Sequence, residues 1–115
     1  MREELRVISL ALSGLKDRVE FVPFQPGVES AWIYGRDGSG PAAALLRYAP
    51  GASIPGHRHG GYEHILVLDG AQQDERGRYP KGTLIVNEPG TEHHVSSPEG
   101  CLVLVIWEKR VTFLE

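Results

Sequence analysis

The chain has 115 residues, 41% of them hydrophobic, the size and composition of one globular domain able to bury its own core. Its single cysteine, Cys101, excludes an intrachain disulfide, and no apolar run approaches the ~18 residues of a membrane-spanning helix. With 12 basic and 15 acidic side chains, a net charge of -3 and no basic block, nucleic acid and anionic membranes are not expected as partners. The start, Met1-Arg2-Glu3-Glu4, has no cationic lead, and Arg6, Ser9 and Ser13 break the stretch behind it. A secretory signal is therefore not expected, and the protein reads as cytoplasmic.

Residues 1–17 place Leu5, Ile8, Leu12 and Leu15 at loose helical spacing, but Ser13 and Gly14 interrupt it. A helix, a strand or an irregular arm all fit. From Val19 onward the signals are those of short strands. The expected runs are Val19 to Phe24, Val28 to Tyr34, Ala42 to Tyr48, Ile54 to His59, Ile65 to Leu68, Thr83 to Val86, Cys101 to Trp107 and Val111 to Leu114. Between them stand Asp37-Gly38-Ser39-Gly40-Pro41, Pro50-Gly51, Gly60-Gly61, Asp69-Gly70, Pro80-Lys81-Gly82 and Pro98-Glu99-Gly100, all turn-forming. The 14 glycines and 8 prolines serve many turns and few long helices. The pattern predicts an all-β sandwich or barrel. Cys101 to Trp107 is apolar on both faces, so its outer face needs a cover. A partner subunit, making a homodimer, is the expected one; the N-terminal segment is the alternative.

All five histidines lie between His57 and His94. His57 and His59, two apart on a strand, leave the same face and can reach one ion. Gly60-Gly61 then turns the chain, and Glu63 opens the next strand, where its carboxylate can return to the same point. If Glu63 faces inward, Ile65 and Val67 do too, and His64 faces out. His93-His94 offer a fourth ligand, but only one of two adjacent strand residues can face in. Three imidazoles and a carboxylate suit one divalent transition metal per chain, Fe, Mn, Ni, Zn or Co, without choosing among them. Four protein ligands on an octahedral ion leave two positions for water, dioxygen or a bidentate anion.

Gly51, His57, His59, Glu63 and Gly70 match every fixed position of the first cupin motif. The second motif, set from Gly82, finds Gly90 and His93 in place but Glu88 where it has proline and Ser97 where it has asparagine. This register makes His93 the fourth ligand and leaves His94 outside. Leu45 to Gly51, Gly61 to Gly70, Asp74-Glu75, Tyr79, Pro89-Gly90-Thr91 and Ser97 to Cys101 resemble, more closely, the cupin domain of ChrR-type anti-sigma factors. The resemblance spans residues 27–107 and implies a double-stranded β-helix, or jelly-roll, barrel with the metal inside its mouth, and frequent dimers. It divides the chain into an arm, 1–24, which is part of the barrel or of a dimer interface, and a cupin barrel, 25–115. Glu63-His64 departs from the family's frequent glutamate pair. Those anti-sigma factors also carry a zinc-binding domain ahead of the cupin, whereas residues 1–24 hold no histidine or cysteine. The chain is therefore not expected to be a complete anti-sigma factor.

The remaining candidates have plainer expected roles. Cys101 is packing, Arg47 faces outward, and Tyr48 belongs to the core rather than to a pocket. Asp74-Glu75-Arg76-Gly77-Arg78 reads as a solvated hairpin tip, and Glu88 and Glu92 as exposed loop carboxylates. Trp32 and Trp107 are core or interface anchors. The expected function is a metal-dependent small-molecule enzyme of dioxygenase type acting on an anionic or enolisable substrate. A sensor or ligand-binding module related to ChrR-type regulators, and a structural metal cupin, are the alternatives.

Overall fold

A computed structural model describes residues 6–114. After one turn of 3-10 helix (Leu15–Asp17) come β1 (Val22–Gln25), β2 (Val28–Tyr34), β3 (Ala42–Tyr48), β4 (Ala52–His59), β5 (Glu63–Asp74), β6 (Gly77–Pro80), β7 (Leu84–Asn87), β8 (Glu92–Ser97), β9 (Cys101–Trp107) and β10 (Val111–Phe113). The strands pair antiparallel in the order β1-β2-β3-β9-β5-β8-β4-β10, with β6 and β7 added onto β5. The sheet curls into the expected jelly-roll barrel. No helix among the described residues is long and apolar enough to cross a membrane. Of the loose pattern in 1–17, Leu5 lies outside the described residues, and Leu15–Asp17 supplies the only regular turn seen there.

β5 serves both sides of the barrel. Its first half lies between β9 and β7; beyond a bulge at Val67 to Asp69, its second half pairs with β6 and meets β8. Gly70 makes the corner. Its φ is +69°, and a Cβ there would stand 2.1 Å from the Gly100 carbonyl oxygen, so no side chain fits.

Strand alternation sorts the core. Ala42, Ala44, Leu46 and Tyr48 of β3 face inward with Cys101, Val103, Val105 and Trp107 of β9, and with Ile65, Val67, Ile85 and Val95. Trp32 stacks on Trp107 with ring centroids 5.6 Å apart, which makes the pair a core anchor. On the outer face Leu45 and Leu102 are buried with Ala31 under Leu15, and Leu10, Val19 and Phe21 pack around them. Burying a side chain such as Leu45 stabilises the fold by roughly 1.5–3 kcal/mol, so the stretch from Leu10 to Phe21 is part of the folded unit. It covers only the Leu102 end of β9. At the other end Ile106 stays exposed, with Val86 and Leu84 on β7. Arg47 points outward as expected and pairs with Glu29 at 2.8 Å.

The strand expectations hold for β2, β3 and β9 to the residue and elsewhere to within a few positions. Two strands were not expected. β6 and β8 carry too little apolar alternation: Glu92-His93-His94-Val95-Ser96-Ser97 is polar at five of six positions because its outer face meets solvent and two of its three inward residues, His93 and Ser97, make polar contacts. β5 also runs six residues past the expected end at Leu68. Asp69-Gly70 turns the strand at a corner instead of ending it.

Candidate metal centre

β4 brings two imidazoles inward, but simple alternation does not explain its pattern. Ile54 and His57 have opposite parity, yet both are buried. The pairing of β4 with β8 slips between them, at Pro55-Gly56, and re-aims the strand so that His57 and His59 join Ile54 on the inner face. β8 then sets His93 directly opposite His57. The Gly60-Gly61 turn returns the chain to β5. There Gly61 lies so close to the Glu108 carboxylate that a Cβ would come within 2.6 Å of Oε1. The Tyr62 N–H donates to the same oxygen at 3.0 Å. This tight turn delivers Glu63 into the barrel.

All four candidates come together. His57, His59, Glu63 and His93 are each between 1% and 5% exposed. Each offers one donor atom, and the four atoms lie within 4.8 Å of one another. His64 and His94 are exposed and outside the cluster, His64 as strand parity predicted and His94 as the resemblance to the second cupin motif implied.

The outward nitrogen of each ring explains what the inward one presents. His57 Nδ1 lies 2.8 Å from the Pro55 carbonyl oxygen. His59 Nδ1 lies 2.9 Å from the Thr91 carbonyl oxygen. His93 Nδ1 lies 3.1 Å from Asp74 Oδ2. A carbonyl and an ionised carboxylate only accept, so each ring carries its proton on Nδ1 and turns an Nε2 lone pair inward. Burial pushes the His57 and His93 pKa values below the ordinary histidine value and keeps the rings neutral. The outcome is a cluster of acceptors. His57 Nε2 and His93 Nε2 stand 2.9 Å apart. His59 Nε2 is 3.1 Å from Glu63 Oε1 and has no hydrogen-bond partner among the described residues. Burial alone would raise the Glu63 pKa; its pairing with His59, then with His93 and His57, lowers it below the usual range instead.

Buried lone pairs and a carboxylate facing one point repel one another unless a cation stands between them. Two ligands at right angles, each ~2.1 Å from one ion, are about 3.0 Å apart. The observed 2.9 and 3.1 Å separations match that spacing. The donor set therefore fits a transition-metal ion.

A second layer holds the first, and the sequence reading missed it. Asp74 is no solvated tip residue: its side chain is 2% exposed. It accepts from the Arg76 N–H, the Arg76 guanidinium and the Tyr79 hydroxyl, each at 2.8 Å, as well as from His93. Burial opposes its charge, but these donors, Arg76 foremost, hold its carboxyl far below the usual carboxylate range. Arg76 also donates to Asn87 Oδ1 at 2.7 Å, and Asn87 Nδ2 donates to Glu63 Oε1 at 3.0 Å. The tip is a hairpin, as expected, but its side chains turn back into the site. Asp74-Glu75 and Tyr79 were among the residues resembling ChrR-type cupins, which was the available signal. Asn87 had only the weak one of a polar residue ending an apolar strand. Glu88 and Glu92 are exposed as expected, Glu92 pairing with Arg58. Ser97, at the motif's asparagine position, is buried and donates to the Ala71 carbonyl at 2.6 Å, tying β8 to β5.

Beside the cluster lies a cavity of about 30 Å³, lined by His57, Glu63 and His93 together with apolar side chains including Ile54, Val105 and Trp107. Tyr48 is core, as expected, but also lines this cavity, and its hydroxyl accepts from the Gln72 amide at 3.4 Å. Phe113 of β10 leans on His57 with ring centroids 5.9 Å apart. Outer grooves of about 530 and 780 Å³ contain none of the four cluster residues. Cys101 is buried among apolar side chains, which push its thiol up to about 11.

Known proteins place this architecture. The anti-sigma-E factor ChrR of Cereibacter sphaeroides is 34% identical over 77 residues, 64% of this chain and 36% of that protein. The chain thus spans about a third of the length of that curated relative. An acetylacetone dioxygenase from Acinetobacter johnsonii superposes with a TM-score of 0.80 at 12% identity, over 100% of this chain and 81% of that one. An RmlC-like cupin from Ralstonia eutropha JMP134 has a TM-score of 0.76 at 18% identity, over 86% and 69%. ChrR of Rhodobacter sphaeroides, in complex with SigE, has a TM-score of 0.70 at 24% identity, over 90% and 70%. At these identities the three structures establish the cupin fold alone. The family described as ChrR cupin-like domain matches residues 14–109, and the chain belongs to it.

Proposed function

We propose that the chain is a metal-dependent ligand-binding module of sensor type, related to ChrR-type regulators. In this reading His57, His59, Glu63 and His93 hold one divalent ion, Fe, Mn, Ni, Zn or Co. The observation that carries it is the size of the space beside the cluster. About 30 Å³ admits a water-sized group, whereas pockets for organic ligands run to ~300–1,000 Å³. When bound, the ion supplies a Lewis-acidic centre of net charge +1 for a small oxygen or nitrogen donor. The chain's own residues do the selecting. Ile54, Val105 and Trp107 bound the cavity and exclude bulk, while Tyr48 and Gln72 offer its far wall a hydroxyl and an amide. We read the module as cytoplasmic.

The test loads the protein with each metal in turn. Azide and hydrogen peroxide are then scored for shifts in melting temperature and in Co(II) absorption. Oxygen uptake is followed with β-diketones, thiols and small phenols. The expected result is a small-ligand shift without sustained uptake; sustained uptake with any organic substrate overturns this reading.

That second outcome would favour the dioxygenase-type enzyme. The full-length superposition on an acetylacetone dioxygenase supports it as a fold-level analogy. It needs the barrel mouth to widen for an anionic or enolisable substrate.

We also propose a second copy of the chain as the cover for the exposed apolar face of Tyr62, Val86 and Ile106, with Leu84 beside them on β7. β7 pairs only with β5 among the described residues, which leaves one strand edge beside that face. Sedimentation at micromolar concentration should give a dimer; a monomer overturns it.

A further inference from the structure

The four donors of the centre are held in two ways. His57 and His59 give their Nδ1 protons to main-chain carbonyls, those of Pro55 and Thr91. No side-chain substitution removes those acceptors. His93 and Glu63 are held by side chains, and both chains of contact end at the tip between β5 and β6. From His93 the contacts run to Asp74 at 3.1 Å, to Arg76 at 2.8 Å, to Asn87 at 2.7 Å and to Glu63 at 3.0 Å. One guanidinium closes the route between two ligands that stand thirty residues apart in the sequence.

We propose that the β5–β6 tip is the positioning element of the centre, with Asp74 setting the His93 ring and Arg76, through Asn87, setting the Glu63 carboxylate. The proposal rests on the metal reading above. Asp74 is nearly inaccessible, so its charge needs compensation, and Arg76 supplies it from a side chain that is 52% exposed. The tip itself is pinned on β8, where Glu75 accepts from the His94 N–H at 2.9 Å. An anionic acceptor on Nδ1 keeps the His93 proton off Nε2 and makes that nitrogen a stronger donor to a metal. Asn87 has its own amide orientation chosen for it. Its oxygen faces Arg76, so its NH2 must face Glu63, which leaves the carboxylate's remaining lone pairs for a cation. A hairpin that only clasped the barrel would need neither a carboxylate aimed at a ring nitrogen nor a guanidinium spanning two partners.

The test measures Zn(II) affinity by competition with a chromogenic chelator, and the His93 tautomer by 15N NMR in the metal-free protein. Asp74→Ala and Asp74→Asn should weaken zinc binding by roughly 10- to 100-fold and by less, respectively, the usual cost of losing such a partner. Arg76→Ala should weaken it by about 10-fold. Arg78→Ala, on the same hairpin but paired with Glu99, serves as control and should stay within about 2-fold. In Asp74→Ala the His93 proton should no longer be confined to Nδ1. Folded Asp74 and Arg76 variants with zinc affinity within about 2-fold of the parent and an unchanged His93 tautomer overturn the proposal. A parent that binds no zinc sinks the metal reading instead, and the tautomer in the metal-free variants still decides the role of Asp74. If Asp74→Ala does not fold, Asp74→Asn and Arg76→Ala carry the same readouts.

Discussion

The β4 side and the β5–β8 side of the centre reach one endpoint by different routes. On β4, two histidines share a strand and hand their outer protons to nearby or opposite main-chain oxygens. On the other side, His93 and Glu63 sit on different strands and depend on Asp74, Arg76 and Asn87 for their orientation. Main-chain acceptors come with the strand pairing and tolerate sequence change. Side-chain acceptors must be present one by one, so that side is where the centre is tunable and breakable.

The most severe way to break the comparison removes one ligand from each side. His59→Ala with Glu63→Ala should take bound metal from about one ion per chain to nearly none, by elemental analysis after dialysis. A variant retaining full metal rules out this ligand set on both sides at once.

Acid acts on the two sides together and by an intermediate amount. Burial lowers the pKa of His57 on one side and of His93 on the other. Between those lowered values and the unfolded value near 6.5 the unfolded chain binds more protons, so stability rises with pH across that window. The metal-free protein should hold its full stability above about pH 6.5. It should lose up to about 1.4 kcal/mol per pH unit per histidine as the pH falls toward the folded values. Urea midpoints between pH 7.5 and 5.5 check this. A flat profile would mean that the rings are not buried as neutral groups. Glu63, whose folded pKa is lowered, adds stability that is present above its unfolded value near 4.5 and is lost as pH falls further.

The comparison is sharpest where a small effect is expected. The Thr91 hydroxyl lies 2.9 Å from His59 Nδ1, but the Thr91 carbonyl lies equally near and survives substitution. Thr91→Ala should therefore change zinc affinity by less than about 3-fold, against roughly 10- to 100-fold for Asp74→Ala. Equal losses would erase the distinction between the two sides. Smallest of all, Cys101 lies in the core with its thiol pushed up to about 11, so a disulfide-exchange reagent at pH 8 should label it only on unfolding. Rapid labelling of the folded protein would show an open barrel.

Local spacing made part of this protein legible at once. His57 and His59 are two apart, Gly60-Gly61 turns the chain, and Glu63 follows, so three donors were placed by strand geometry and a short loop. The β2, β3 and β9 strands were legible because burial on one or both faces leaves a dense apolar signal. β8 was not, because only Val95 of its three inward residues is apolar, which leaves no alternation to read. His93 was singled out from His94 only by resemblance to the second cupin motif. The structure places His93 opposite His57.

By itself, then, the chain's local pattern determined an all-β domain and brought three of the four cluster residues together, since strand parity and turn residues are properties of neighbours in the chain; the cupin barrel and His93 came from resemblance. Tertiary structure decided the rest. The slip at Pro55-Gly56 put Ile54 and His57 on one face, and the bend at Gly70 brought the β5–β6 tip over β8. That tip turned Asp74 from a presumed surface charge into the partner of a histidine 19 residues away. The physical reason is common to all three. A buried polar atom takes whichever partner the fold brings within about 3 Å, and that choice is made across the barrel and not along the chain.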